Sequence, residues 1–291
     1  MTVTTTTPPP MPHVDGVSHG HAVVGGVRLH YVEAGTGDPL VLLHGWPQHW
    51  FVWRALIGPL AREFRVICPD LRGFGWSEGT PDGYDLKSLG QDIVGLLDAL
   101  DIPRARLVGH DVGGAAGFRA CLDHPDRFER FVALATVPPW LTALAPPALF
   151  LRPWHFYALG LPGGDRLAAR PGLVAGRLRA WRYHGSFTAE ETDTYVRAAT
   201  TPLSAHAAAR FYRGAVLREL PTFLRAHGRR HLTVPTLQLN GAHDPLGRRL
   251  PDLHHGHADD MTVETVPGAG HFIPEERPDW TLDRVGAFLR P

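Results

Sequence analysis

The sequence predicts an α/β fold in which a mostly parallel sheet, flanked by helices, is interrupted by an inserted helical cap. Three observations predict it. The stretches "PLVLLHG" (39–45), "FRVICPD" (64–70) and "ARLVGHD" (105–111) are near-continuous apolar runs, as expected of strands buried on both faces. A helical pattern lies between them. After "RFVALAT" (130–136) the strand signals stop, and they resume only at "LTVPTLQLNG" (232–241) and "MTVETVPG" (261–268).

Taken in chain order, "MTVTTTTPPPMPHVDG" lacks the basic and apolar regions of a secretory signal, so residues 1–18 are expected to form a flexible N-terminus. "VRLHYVEAG" (27–35) alternates apolar and polar residues, the signature of a half-exposed strand. "DLKSLGQDIVGLLDALDI" (85–102) puts Leu86, Leu89, Ile93, Leu96, Leu97 and Leu100 at helical spacing, with Asp85 as its N-cap. The segment 138–228 is rich in Ala, Leu, Arg, Pro and aromatics and reads as the helical cap. Residues 19–137 and 229–291 then form the core that it interrupts.

With 291 residues, 44% of them hydrophobic, the chain can bury one large core with an insertion. Lys plus Arg and Asp plus Glu both number 29, so no global charge draws it to nucleic acid or an acidic membrane. A small neutral or apolar substrate is the expected partner, and a homodimer is left open. Cys68 and Cys121 sit in apolar runs and read as reduced core residues. No run of 18 apolar residues occurs, and a soluble, cytoplasmic protein is expected. "DLHHGHADD" (252–260) is His-rich but lacks a fixed ligand spacing, so neither a metal nor another cofactor is expected.

The chemistry concentrates in "RLVGHDVGGAAGFRACLDHPD" (106–126), which reads as strand, tight turn and helix. Gly109-His110-Asp111-Val112-Gly113 has the G-x-nucleophile-x-G form of a strained elbow. The helix that follows points its N-terminal amides at Asp111, and the Val112 amide can donate to a developing oxyanion. His110 reads as a packed residue of the turn. "LLHGWPQ" (42–48) follows a buried strand and offers the Trp46 amide as a second donor; His44 reads as a brace for that loop and as a pocket residue. "LQLNGAHDPL" (237–246) carries Asp244 and "VPGAGHFIPEERP" (266–278) carries His271, which completes the order nucleophile, acid, histidine.

On these motifs the chain resembles the α/β-hydrolase-fold family from about residue 20 onward. "PDLRGFGWSEG" (69–79) resembles the family's D-x-R-G-x-G-x-S turn; a dinucleotide loop is disfavoured because "TPDGYDL", not a helix, follows it. The resemblance implies an eight-stranded, mostly parallel sheet. It also implies that Asp111 is the nucleophile, His271 the base and Asp244 the residue that orients it.

Aspartate at the elbow, rather than serine, points to displacement at an sp³ carbon: its carboxylate forms an alkyl ester that water then hydrolyses. The sequence is similar to epoxide hydrolases above all. Their cap tyrosines correspond to Tyr212 in "HAAARFYRGAV" (206–216), taken as proton donor, and to a first donor in "PWHFYALGLPG" (153–163) that is either His155 or Tyr157, unless Tyr212 acts nearly alone. Trp140, Trp154 and Trp181 are expected to line an apolar pocket; Tyr183 and Tyr195 match no motif. A hydrolytic dehalogenase is the second reading. Haloalkane dehalogenases carry a tryptophan where Val112 stands and often an asparagine where Trp46 stands, and fluoroacetate dehalogenases carry arginines where Val112 and Ala115 stand. A binding protein on the same fold is the third reading, against which the complete Asp111, Asp244 and His271 set argues.

Overall fold

A computed structural model describes residues 9–140, 154–183, 187–215, 230–245 and 255–290. Eight strands form one sheet: β1 Ser18–Val24, β2 Val27–Ala34, β3 Asp38–Leu43, β4 Phe64–Pro69, β5 Ala105–His110, β6 Phe128–Leu134, β7 Thr236–Gly241 and β8 Met261–Val266. Their spatial order is β1-β2-β4-β3-β5-β6-β7-β8. Only the β1–β2 and β2–β4 pairs are antiparallel; the rest are parallel.

Both faces of the sheet are covered, which explains the unbroken apolar runs. Along β3, Val41 and Leu43 join the core under the helices Leu86–Ala99 and Val112–Asp123, while Leu40 and Leu42 join the opposite core under Arg54–Leu60 and Pro278–Leu289. All four residues are fully buried. Asp85 caps its helix as expected, its side chain accepting from the Ser88 amide at 3.0 Å.

Two differences from the sequence reading have local causes. Strand β1 was not anticipated; it pairs with β2 from Ser18↔Glu33 to Val24↔Val27 through Gly25 and Gly26, both at positive φ. That Gly-Gly pair between two valine-bearing strands is a recognisable hairpin signal. The described part of the N-terminal stretch also lies on the core: the Trp76 indole donates to the Pro9 carbonyl at 3.0 Å, and Val14 and Val17 pack against buried residues. The strand expected at 232–241 begins only at Thr236, since Pro235 precedes it and has no amide to donate.

Between β6 and β7 the chain supplies the described cap helices Trp154–Gly160, Gly164–Ala168, Pro171–Trp181, Ala189–Ala199 and Pro202–Gly214. Helix Ala189–Ala199 starts in a reciprocal cap, Thr188 accepting from the Glu191 amide while Glu191 accepts from that of Thr188. Leu159, Val174, Leu178 and Tyr195 bury the inner faces of these helices in the core shared with the sheet. No helix among the described residues is long and apolar enough to cross a membrane.

Candidate active site

Strand β5 runs into helix Val112–Asp123 through Asp111, whose φ of 50° lies in the left-handed region that non-glycine residues rarely occupy. Such a backbone costs about 1–3 kcal/mol and persists only where its surroundings hold it. They do so here: the Asp111 amide donates to Leu134 O at 3.0 Å, and its carbonyl accepts from Thr136 Oγ1 at 2.9 Å and the Ala115 amide at 3.0 Å. Glycine is required opposite the turn. A Cβ on Gly45 would stand 2.4 Å from that of Asp111, and one on Gly113 would stand 2.5 Å from the Leu43 and His44 carbonyls.

The Asp111 carboxylate accepts from the Trp46 amide through Oδ2 at 3.0 Å, and the Val112 amide bonds to it as well. The two amides expected as an oxyanion hole therefore already hold a carboxylate oxygen. Burial pushes the Asp111 pKa up, and His271 with the two amides offsets only part of that.

His271, in the loop after β8, turns Nδ1 to Asp244 Oδ2 at 3.2 Å and Nε2 toward Asp111 Oδ1 at 3.8 Å. Asp244 is fully buried after β7. With Nδ1 donating to Asp244, Nε2 is left as the basic atom facing Asp111. Burial lowers the His271 pKa, but the Asp244 and Asp111 charges outweigh that and raise it above its ordinary value. Its main chain is held from both sides: the amide donates to Trp181 O at 3.0 Å, and the carbonyl accepts from His110 Nε2 at 2.9 Å. His110 is a packed residue of the elbow, and burial first, then the His271 charge, pulls its pKa down to about 3.

Above Asp111, core and cap frame a small cavity lined among others by Trp46, His155, Trp181, Tyr212 and His271. Tyr212 is buried, and burial and the Asp111 charge push its hydroxyl well above the ordinary tyrosine pKa, so it stays protonated. His155 is neutral as well, pulled down to about 3 by burial, Arg177 and His271. Its ring lies 6.1 Å from that of Tyr212.

Several expected residues lie elsewhere. Tyr157 does not line the cavity; Phe156 does, stacked 4.8 Å from Tyr212. Trp154 is 50% exposed, because its helix turns His155 and Leu159 inward and Trp154 outward. Trp140 is buried away from the cavity against Phe118 and His257. His44 also lies outside it: Nδ1 donates to Gly45 O at 3.0 Å and Nε2 accepts from the Leu71 amide at 2.9 Å, which braces the Trp46 loop. Arg177 and Phe272, unmarked by any motif, do line the cavity. The spacing of Arg177 and Trp181, one helical turn apart, was the only available signal for the former. Of the His-rich stretch, residues 255–260 are described, and no group of three metal-ligating side chains occurs among the described residues.

The elbow, the donor loop before it and the acid and histidine after the last two strands define an α/β hydrolase. The profile of the alpha/beta hydrolase fold family matches residues 38–278, and the chain belongs to that family. It is 33% identical to a soluble epoxide hydrolase of Corynebacterium sp. (strain C12), over 94% of this chain and 98% of that one. It is 32% identical to a fluoroacetate dehalogenase of Burkholderia sp, over 91% of each. The solved structure of the epoxide hydrolase CorEH superposes with a TM-score of 0.84 at 33% identity, covering 94% of this chain and 98% of that one. The chain is thus a hydrolase.

Proposed function

We propose that this hydrolase opens an epoxide to a vicinal diol through an alkyl ester of Asp111. The observation that carries the reading is an aspartate at the elbow with Oδ2 held by the Trp46 amide and Oδ1 turned toward His271. Oδ1 attacks a ring carbon, the C–O bond breaks, and the alkoxide takes a proton from Tyr212, with His155 as the second donor to the ring oxygen. The high Tyr212 pKa keeps that proton available in the resting site.

His271 Nε2 then removes a proton from water, and the hydroxide attacks Cγ of the ester. The resulting oxyanion, on Oδ2, is held by the Trp46 and Val112 amides; its collapse breaks the Cγ–Oδ1 bond, the departing alkoxide takes the proton held by His271 to give the diol, and the new carboxyl group returns its proton to the Tyr212 oxygen, which restores the carboxylate. A single turnover in ¹⁸O-labelled water tests this. The label is expected in the Asp111 carboxylate and not in the first diol; a label in the first diol contradicts the ester.

One observation favours a second reading, a hydrolytic dehalogenase. Trp46 lines the cavity with its indole Nε1–H lacking a hydrogen-bond partner, as does Nδ1 of His155, and a departing halide needs such weak donors. Halide release from haloalkanes or haloacetates, without turnover of epoxides, would establish it in place of the first.

A further inference from the structure

Arg177 lies on the cap helix Pro171–Trp181, one turn before Trp181, and lines the cavity with it. Its surroundings are unlike those of Arg72 and Arg106. Arg72 is paired with Asp92, and Arg106 with Asp38 and Glu129. Arg177 has no acidic partner among the described residues, and its Nε is buried without a hydrogen-bond acceptor. Its guanidinium lies over a ring instead, the guanidinium carbon 5.2 Å from the centroid of Trp154. Stacking supports the face of a guanidinium but satisfies none of its N–H groups, so the donor edge stays open.

The charge is felt in the site, where Arg177 helps to keep the His155 imidazole neutral. The charges and donors acting on Asp111 are His271, the Val112 and Trp46 amides and Asp244. No acidic side chain among the described residues therefore neutralises Arg177, and burial works against its charged form. A cation left open in a cavity is complementary to an anion that arrives with the ligand.

We propose that the substrate carries a carboxylate, which the N–H edge of Arg177 binds while the electrophilic carbon faces Asp111. The proposal rests on ring opening at Asp111, and the substrate class becomes a short epoxy acid. The cavity is small and suits a molecule of few heavy atoms. The guanidinium also offsets the repulsion that the Asp111 carboxylate would exert on an anionic substrate in a site of low dielectric. The pocket expected to be apolar from its tryptophans is thus apolar on one side and cationic on the other.

The test compares glycidate with its uncharged counterpart glycidamide on the wild type, Arg177→Gln and Arg177→Lys. Losing one partner of a buried charge pair is expected to lower kcat/KM for glycidate about 30-fold in Arg177→Gln, mainly through KM. Arg177→Lys restores part of it, and glycidamide changes less than about 3-fold in either variant. An unchanged glycidate rate, or equal losses for both compounds, overturns the proposal.

Calorimetric binding of glycerate, the unreactive diol of glycidate, keeps the two readings separable. If neither epoxide turns over, ring opening fails; glycerate binding that weakens about tenfold in Arg177→Gln would still support the anion site. Binding that is absent, or unchanged by the substitution, overturns it.

Discussion

The main-chain amide of His271 donates to the carbonyl of Trp181 at 3.0 Å, and the two rings meet edge to face at 4.9 Å. Trp181 ends a cap helix, and His271 belongs to the loop after the last strand. The cap therefore positions His271 as well as lining the cavity. Trp181→Ala is expected to destabilise the fold by about 3 kcal/mol, as for other buried tryptophans, and to lower kcat up to about 10²-fold by letting the imidazole shift. Trp181→Phe, which keeps an aromatic edge, is expected to retain most of the rate. Denaturant titration and steady-state kinetics separate the two effects. An unchanged kcat in Trp181→Ala would break the link between cap and base.

The pH profile follows from two raised pKa values. Asp111 lies above the usual 3.8 because burial outweighs its charge partners, so alkylation is lost as pH falls through that raised value. His271 lies above 6.5 although burial opposes it, because Asp244 and Asp111 favour the imidazolium. Ester hydrolysis needs the neutral imidazole. Esterification removes the Asp111 charge, so His271 titrates lower in the alkyl-enzyme than in the free protein. The acid limb of kcat is expected below the His271 pKa measured by NMR without substrate; a limb at or above that pKa would contradict the account. Asp244→Asn should lower this raised free-protein value and slow ester hydrolysis about 10³- to 10⁴-fold.

These residues are legible in the sequence because each follows a strand in a fixed chain order. Asp111, Asp244 and His271 sit where strands β5, β7 and β8 end, and the apolar runs announced those strands. The cap was legible only as a helical block. Its helices carry arginines and small residues on several faces, so periodicity did not separate Arg177, in the cavity, from Arg179, which is exposed. Trp154 was misplaced for the same reason: composition marks an aromatic, but only packing decides which side of a short helix it takes. Tyr195, which matched no motif, has a structural explanation in the contact between cap and core.

That contact is a partly buried polar cluster. Arg54, on the core, bonds Glu191 of the cap at 2.6 Å and the Tyr195 hydroxyl at 3.1 Å, and pairs with Glu275; Tyr195 donates to Glu275 at 2.7 Å. Arg54→Leu would leave the Glu275 carboxylate buried without its cation. The expected cost is about 3–5 kcal/mol in urea unfolding, with Arg54→Lys recovering part of it. A loss below about 0.5 kcal/mol would mean that the cluster behaves as a solvated surface pair.

The central claim is a covalent ester on Asp111, and the most direct measurement is the intact mass of His271→Gln after exposure to epoxides and haloacids in parallel. Without its base the variant should stall at the ester, and peptide mapping should place the added mass on Asp111. The account predicts a gain equal to the whole epoxide. A gain equal to the haloacid less hydrogen halide, with none from epoxides, would contradict ring opening; no adduct from any electrophile would contradict the ester itself.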